Sequence, residues 1–366
     1  MYLYFIFFVL ALLSYFELNF GKKFGNKVLP ILFLLFLALG SLRWERGTDW
    51  LQYQYVFENI NIPYYKKVFE IFFYLLNVIV NSFSKNYTVM LFVQAFIINI
   101  LIYLTIRKYS ISPVFSTLIW FSIFFGGVFF VRQTIAIAIL FFSLRFIVER
   151  KIWLFILLVV IAGNFHRSAY IFFLSYFVYR LNLTRRFFIV ALIASLALSF
   201  VTSHLLTLFS GIDMGIFSEK TEIYVTAGKT DFNFGSNYSP LQTMYRGISY
   251  RIVIILITLI FYYKLYQEDS FFRGIYNIYF LGLIIFILFV PVSVALIRFS
   301  NYFEIFQVFL FPYLIYQYKD KIYNNAILLF CIIYFAIRLN SSIAGYKDLY
   351  IPYKSIFDKN LKVEVG

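Results

Sequence analysis

Long apolar runs occupy most of this chain and constrain its fold more than any other feature. Residues 2–16, 28–42 and 274–296 contain no charged side chain. A helix that crosses a bilayer needs roughly 17–25 predominantly apolar residues. Because the runs do not alternate apolar and polar residues as barrel strands do, they predict helices, whose backbone groups are hydrogen-bonded within the segment. The expected fold class is an all-α polytopic membrane protein.

Composition agrees with a membrane protein and narrows the expected partners. Hydrophobic residues make up 62% and charged residues 13% of the chain, whereas soluble domains carry about 25% charged residues. The net charge of +15 is typical of basic cytoplasmic loops, so no nucleic-acid partner is expected. One cysteine and two histidines argue against an intrachain disulfide and against cysteine- or histidine-rich metal sites. We therefore expect no metal and no cofactor.

Hydropathy predicts about twelve transmembrane helices in a single integral membrane domain, residues 1–366. The short connections at 22–27, 107–108 and 150–151 are rich in Lys and Arg, which places them on the cytoplasmic side. The predicted spans are 2–18, 28–42, 88–106, 113–130, 132–148, 152–164, 168–181, 187–208, 250–265, 274–296, 301–318 and 324–339.

Two long outer loops, 43–87 and 209–249, interrupt this bundle. The basic connections all reach the cytoplasm only if the apolar stretch 69–83 does not cross the bilayer. That stretch is short and carries Glu70 and two asparagines, so we expect an interfacial or re-entrant helix there. This topology places both termini and both long loops on the outer, periplasmic side.

The first outer loop opens with the polar cluster Arg46, Gly47, Thr48 and Asp49. We expect Gly47 and Thr48 to form a tight turn that points Asp49 inward beside Arg46. A guanidinium suits a phosphate group, and a carboxylate can accept a proton from an attacking hydroxyl. The alternative is a solvated loop with weak surface ion pairs.

Arg132 and Gln133 open a strongly apolar helix. A basic residue at the positive end of a helix dipole does not favour helix stability. Backbone N–H groups and a guanidinium at that position can, however, bind an anion together. The alternative is that the Arg132 side chain simply extends to the bilayer surface.

Further polar residues are predicted on the same outer face. His166 and Arg167 lie in a short turn between apolar helices, where a neutral imidazole could act as a base or bind a sugar hydroxyl. Arg298 is a single charge in an apolar stretch, and isolated charges in membranes are usually functional. Arg246 lies at the end of the second outer loop. The alternative for His166 and Arg167 is a surface turn, and the alternative for Arg298 is an arginine that extends to the bilayer interface.

Five short motifs follow one another between the predicted spans. Each is weak alone, but their order and spacing are fairly specific. In chain order they are Gly47-x-Asp49-x-x-x-Tyr53 preceded by Arg46, Phe69-Glu70, Arg132-Gln133, Phe165-His166-x-Ser168-Ala169 and Pro352-Tyr353.

This combination resembles the EpsG-like branch of the Wzy-type polysaccharide polymerases over nearly the whole chain. One departure is Ile71, where the family often has proline. The resemblance implies a GT-C-like, metal-independent glycosyltransferase of the bacterial inner membrane with its active site on the periplasmic or outer face. Such an enzyme makes polysaccharides such as O-antigen or capsule. It transfers a glycan from undecaprenyl pyrophosphate to the non-reducing-end sugar hydroxyl of another lipid-linked repeat.

The resemblance and the residue chemistry together suggest roles for the polar residues. Arg132, Arg298 and Arg46 are expected to bind the pyrophosphate, whose developing charge needs stabilisation. Asp49 and His166 are the alternative catalytic bases. The expected partners are undecaprenyl pyrophosphate-linked oligosaccharides, the bilayer and a chain-length regulator. The expected substrate-binding residues are Gln133, Arg167, Arg246, Tyr53 and Glu70.

Three other functions remain open on the sequence. A different GT-C enzyme would use similar arginines to add one sugar from a polyprenyl phosphate. A transporter of lipid-linked glycans should line the centre of its bundle with polar groups, whereas the charges here gather at one predicted face. An O-acetyltransferase would need a catalytic histidine on a cytoplasmic acyl-donor path, and His166 is predicted outside.

Overall fold

Helices dominate the computed structural model, which describes residues 2–209, 240–291, 294–316, 320–344 and 346–358. No strand occurs in these ranges, and an isolated bridge joins Arg43 to Ser355. The helices are α1 Tyr2–Phe20, α2 Lys22–Leu42, α3 Trp50–Glu58, α4 Pro63–Val68, α5 Ile71–Phe83, α6 Tyr87–Tyr109, α7 Pro113–Phe124, α8 Arg132–Val148, α9 Ile152–Gly163, α10 Leu174–Val178, α11 Arg185–Phe209, α12 Pro240–Ile260, α13 Ser270–Phe289, α14 Arg298–Glu304, α15 Gln307–Ile315, α16 Lys321–Ala344 and α17 Lys347–Tyr350.

Six helices in the described ranges are long and apolar enough to cross a membrane, which supports a multi-pass membrane protein. Helices α5 and α9 are apolar but shorter. The predicted total of about twelve spans and the GT-C architecture stay predictions. The six long helices are α1, α2, α6, α12, α13 and α16.

The second half of the chain departs from the predicted boundaries. Helix α12 begins at Pro240 rather than at residue 250, so Arg246 lies within a helix and not in a loop. Proline favours the first turn of a helix, and the polar residues that follow it hid this turn from a hydropathy search. The remainder of the predicted outer loop 209–249, residues 210–239, lies outside the described residues.

The helix observed at the predicted span 274–296 also ends earlier than expected. Helix α13 ends at Phe289 and Pro291 follows, which cannot continue a helix. A 3-10 turn over Val294–Ile297 then leads to Arg298, the first residue of α14. The single charge noted in the sequence therefore marks a helix start within a broken segment.

The chain divides into two compact units, residues 1–170 with 311–366, and residues 171–310. In the first unit, α7 is the central helix, since every residue from Pro113 to Ser122 is buried. Helices α1, α2 and α16 pack around it. Its polar side chains are satisfied locally: the hydroxyls of Thr117 and Ser122 donate to carbonyls one turn earlier. The single integral membrane domain stays a prediction.

The first unit has two chemically different ends, joined by α6. This helix runs from Tyr87, whose ring packs on Trp50, to Tyr109, and its 23 residues span about 35 Å. At the Tyr87 end, the Tyr2 hydroxyl donates to the Tyr350 carbonyl, so both ends of the described chain lie on one side of this unit. We name this side the Arg132 end, and the opposite side, with the Lys108–Glu149 ion pair, the Lys108 end.

Helix α5 is the segment that was expected not to cross the bilayer. Its 13 residues span about 20 Å, less than the hydrocarbon thickness of roughly 30 Å. Glu70 at its start pairs with Arg132, and its last residue lies shortly before Tyr87, so both ends of α5 lie at the Arg132 end. Its interfacial or re-entrant position in a bilayer stays a prediction.

The second unit is built on α13, which packs against α10, α11, α12 and α14. Its interior contains an ion pair between Arg251 of α12 and Glu304 of α14. The Arg251 guanidinium also lies over the Phe286 ring at 4.1 Å. The second unit therefore encloses a charged pair among aromatic side chains.

Candidate functional site

Arg132 is the centre of the candidate site because it joins three elements of the first unit. It is the first residue of α8, and its guanidinium forms an ion pair with Glu70, just before α5. Its Nε donates to the hydroxyl of Tyr53 on α3 at 3.1 Å. Three of the predicted ligand residues are thus brought together, although Arg132 and Tyr53 are 79 positions apart.

Aromatic rings surround the Arg132 guanidinium without closing it off. It lies 4.9 Å from the Phe69 ring centroid and 5.6 Å from that of Phe73, distances at which a cation is attracted to the ring face. The Arg132 side chain remains 25% exposed and that of Glu70 12%. The contacts to Glu70 and Tyr53 use two of its five N–H donors. The group is therefore oriented and can still reach an anion.

The loop before α3 is tightly bent by three residues in the left-handed region. Glu45, Gly47 and Asp49 have φ values of 48°, 97° and 62°. At position 47 a Cβ atom would lie 2.6 Å from Nη1 of Arg43. Glycine is required there both for its backbone freedom and for the close approach of that arginine.

Asp49 lies at the surface of this loop, which differs from the expectation that it points inward beside Arg46. Asp49 is exposed, and its carboxylate makes no hydrogen bond or ion pair within the described ranges. Arg46 instead donates to the carbonyl of Asp348 at 3.1 Å. The expected inward orientation of Asp49 was therefore wrong, since its side chain is exposed. Asp49 nevertheless lies one helical turn from Tyr53, whose N–H donates to the Asp49 carbonyl.

Arg43 connects this loop to the segment that leads into Arg132. It is 2% exposed, and it donates through Nη1 to the Arg46 carbonyl at 2.9 Å and through Nη2 to the Phe130 carbonyl at 3.1 Å. Burial lowers the pKa of Arg43 to about 10, so it stays cationic at neutral pH. Arg43 therefore fixes the loop that bears Asp49 relative to the start of α8.

The C-terminal segment 346–358 lies over the same loop. The backbone N–H groups of Trp44 and Gly47 donate to the carbonyls of Lys354 and Leu349, at 2.8 and 2.9 Å. These bonds satisfy backbone groups that the irregular loop cannot pair internally. The C-terminal segment is therefore part of the wall of the candidate site.

Tyrosines anchor this segment to the first unit. The Tyr353 hydroxyl donates to the Leu39 carbonyl at 2.8 Å, and the Tyr350 ring lies 4.6 Å from the Phe129 ring. Burial raises the pKa of Tyr350 to about 12, so its hydroxyl stays neutral. The Pro352-Tyr353 motif has a structural basis here, since it fastens the segment to the end of α2.

The turn with His166 packs beside the start of α5. The backbone N–H of Phe72 donates to the Asn164 carbonyl at 3.0 Å, and the Phe72 and Phe165 rings are 6.1 Å apart. Nδ1 of His166 shares a hydrogen bond with the Ser168 hydroxyl at 2.7 Å, which fixes the imidazole plane. This turn is thus adjacent to the segment that carries Glu70.

The remaining predicted residues differ in exposure. Arg167 is exposed beside His166, and Gln133 is buried behind Arg132. Arg246 and Arg298 belong to the second unit; Arg246 is half-buried in α12, and Arg298 is exposed at the start of α14. Their predicted grouping with Arg132 stays a prediction. In the described ranges no three His, Cys, Asp or Glu side chains form a group that could bind a metal ion.

Sequence reasoning missed Arg43 as an organising residue and missed the role of the C-terminal segment. The signal for Arg43 was its place next to an apolar helix end, three residues before Arg46. Nothing in hydropathy distinguishes a buried arginine from one at the bilayer surface. Its two carbonyl partners are known only once the chain has folded.

Comparison with known proteins identifies the family. The model of the EpsG family matches residues 26–355. No match was found among curated proteins or solved structures. The family match spans the loop with Asp49, the helix start at Arg132, the His166 turn and the Pro352-Tyr353 motif. Since it covers most of the chain, the protein belongs to the EpsG family, and this membership indicates a polysaccharide polymerase-like function.

Proposed function

We propose that the protein joins lipid-linked oligosaccharide repeat units at the Arg132 end of its first unit. It would transfer glycan from undecaprenyl pyrophosphate to the non-reducing-end hydroxyl of another lipid-linked repeat. The observation that carries this proposal is the partly exposed guanidinium of Arg132, which Glu70, Tyr53 and two phenylalanine rings hold in place. A guanidinium that is fixed yet accessible suits the anionic group of such a substrate.

The reaction forms a bond between the acceptor oxygen and the anomeric carbon of the donor glycan. The bond from that carbon to the pyrophosphate oxygen breaks, and the acceptor proton goes to a base. The pyrophosphate leaves as an anion, so positive groups fixed near it lower the barrier. Arg132 takes this role, with Arg46 as a further pyrophosphate ligand. The proposed role of Arg298 rests on the sequence alone, because Arg298 belongs to the second unit. No metal is required in this scheme.

Asp49 is the first choice for the base. Its carboxylate is exposed and has no hydrogen-bond or ion-pair partner within the described ranges, so it is available to an acceptor hydroxyl. His166, whose ring Ser168 orients, is the alternative base or binds the acceptor sugar. Gln133, Arg167 and Arg246 are proposed as further substrate ligands.

The central test is Arg132→Ala in purified protein with lipid-linked repeat units as substrate. Loss of one transition-state donor typically lowers turnover by about 10²–10³-fold. Arg150→Ala is the matched control, because Arg150 is exposed at the Lys108 end. Wild-type polymer length and rate in Arg132→Ala would overturn the assignment of Arg132.

A second experiment separates the two bases and the two reaction types. Asparagine keeps the shape of Asp49 and tolerates its left-handed backbone, so Asp49→Asn removes only the proton acceptor. We expect a large loss of rate in Asp49→Asn and a smaller one in His166→Ala; the reverse order would make His166 the base.

Wild-type product should form a ladder on a gel, and a single added sugar would instead indicate a polyprenyl phosphate sugar transferase.

The proposed location is the bacterial inner membrane, with the Arg132 end on the periplasmic side. The Lys108 end carries Lys108, Arg145, Arg150 and Lys151, and basic residues concentrate on the cytoplasmic side of membrane proteins. A reporter fused after Gly366 should be active only outside the cytoplasm. Activity restricted to the cytoplasm would invert the proposed orientation.

A further inference from the structure

A basic cavity lies at the Lys108 end of the first unit, opposite the candidate site. Its volume is about 410 Å³, and α6 and α8 line it, which is within the range of small-molecule sites of roughly 300–1,000 Å³. Arg107, Lys108 and Arg145 contribute cationic groups, and Leu104 and Phe142 contribute apolar walls. The proposed polymerase chemistry uses none of these residues.

The charge of this region is unbalanced. Segments 107–109 and 145–151 contain five cationic side chains and a single carboxylate, that of Glu149. Glu149 already pairs with Lys108, Arg145 and Lys151. Arg107 instead donates to the Tyr103 hydroxyl and has no carboxylate partner in the part of the chain that the structure describes. The excess of positive charge around the cavity therefore favours an anionic ligand.

The walls of the cavity specify what kind of anion it would accept. The apolar side chains lie along the flanks of two helices that are proposed to cross the bilayer, and Leu104 is 41% exposed. A ligand with a phosphate and an attached hydrocarbon chain satisfies both features, since guanidinium groups bind phosphate oxygens and the apolar flank accommodates the chain. Basic pockets between transmembrane helices bind anionic lipid head groups in this manner.

We propose that this cavity binds an anionic phospholipid of the surrounding bilayer. Arg107 and Arg145 contact the phosphate, and the acyl chain lies along Leu104 and Phe142. The site is independent of the proposed polymerase activity, because it lies about 35 Å from the Arg132 end along α6. If the cavity does not bind an anionic phospholipid, the proposed polymerase function is unaffected.

The test measures the binding of phosphatidylglycerol and phosphatidylcholine to purified protein by native mass spectrometry. The double variant Arg107→Gln, Arg145→Gln removes two cations from the cavity. Arg150→Gln, Lys151→Gln is the matched control, because it removes the same charge at the same end but outside the cavity lining. Each basic residue near an anionic lipid contributes about 1 kcal/mol, so the first variant should bind phosphatidylglycerol roughly 30-fold more weakly. The control should change little.

Two further variants sharpen the result. Glu149→Gln removes the competing carboxylate and should strengthen phosphatidylglycerol binding. Leu104→Gln should weaken lipid binding but not the binding of inorganic phosphate.

Equal losses in both double variants would mean diffuse surface attraction and would overturn the proposal. Equal binding of phosphatidylcholine, or full competition by millimolar inorganic phosphate, would also overturn it. Thermal midpoints close to wild type in all variants establish that they are folded.

Discussion

Each unit of this protein contains an arginine–glutamate pair that joins elements distant in the sequence, and these two pairs differ in how completely they are enclosed. In the second unit, the side chains of Arg251 and Glu304 are 8% and 5% exposed. In the first unit, those of Arg132 and Glu70 are 25% and 12% exposed. Both arginines lie over aromatic rings. The two pairs therefore have similar local chemistry and differ in how accessible they are to solvent or a ligand.

The difference separates a structural pair from a candidate functional one. Removing both charges from water is costly, and the cost is recovered only when each charge keeps good partners. Arg251 meets this condition with Glu304 and with the Gly247 carbonyl, and little room remains for a ligand. Arg132 keeps part of its surface open, which stability alone does not require.

The largest expected effect on stability is in the enclosed pair. Glu304→Ala leaves Arg251 buried without a counter-charge, which should lower the free energy of unfolding by about 3–5 kcal/mol. Thermal unfolding in detergent measures this loss. The double variant Arg251→Met, Glu304→Leu should recover much of it, since well-packed apolar side chains can replace a buried pair. An unchanged midpoint in Glu304→Ala would remove the contrast between the two pairs.

Arg43 tests a buried arginine that has carbonyl partners instead of a glutamate. Arg43→Met leaves the carbonyls of Arg46 and Phe130 without this donor, and each unsatisfied buried group costs about 1–3 kcal/mol. We expect a lower thermal midpoint and slower polymer formation. Arg43→Lys should recover only part of both, because a lysine cannot present two fixed N–H groups to separate acceptors. Full recovery by lysine would show that charge alone matters at this position.

Glu70→Gln tests the partly exposed pair of Arg132 and Glu70 in the first unit. The side chain keeps its shape and Arg132 stays partly hydrated, so we expect the free energy of unfolding to fall by less than about 1 kcal/mol. Because Arg132 loses its orienting partner, kcat should fall about tenfold. The KM for the lipid-linked donor should stay similar or decrease, since the guanidinium is no longer neutralised. A loss of stability as large as that in Glu304→Ala would assign Glu70 a structural role.

The surface network at Glu149 should give a much smaller effect. Hydrogen bonds from Lys108 and Lys151 lower the pKa of Glu149 to about 2. A carboxylate with a lowered pKa stabilises the fold above its ordinary pKa, and this contribution is lost as the pH falls toward 2. Between pH 5 and 9 the Glu149 contribution should be constant, and Glu149→Gln should lower the thermal midpoint only slightly, because its ion pairs lie at the surface. A pH-dependent difference between this variant and wild type above pH 5 would contradict this.

Metal chelation should give no effect. The proposed site uses arginines where other transferases use a divalent ion. Polymer formation by purified protein should therefore be the same with and without EDTA. Strong inhibition that added Mg²⁺ or Mn²⁺ reverses would mean that a metal binds in the site, and Asp49 would then be the first residue to examine.

Hydropathy and local signals predicted much of the helix framework. The start and end of α8 at Arg132 and Val148 agree with the predicted span 132–148. Agreement was weaker for α12, where a polar first turn hid the helix start at Pro240. The motifs that suggested the family were also local, and the family match over residues 26–355 confirms that resemblance.

The candidate site could be predicted only in part. Arg132, Glu70 and Tyr53 were all named from the sequence, but nothing in the sequence joined them into one contact group. Asp49 was expected to point inward beside Arg46, but its side chain is exposed. Arg46 donates instead to the carbonyl of Asp348, 302 positions away, a contact that local sequence cannot reveal. The C-terminal segment was noted only as a motif, although it pairs with the first loop through backbone groups.

The sequence by itself determined that this chain forms apolar helices and which polar residues stand at their ends. Those properties depend on hydrophobicity and on neighbours within a few residues. Only the tertiary structure decided which arginine is enclosed, which stays open and which holds the backbone in place. Glu70 lies 62 positions from Arg132, and Phe130 lies 87 positions from Arg43. Burial, which sets the strength of each charged contact, exists only after the helices have packed.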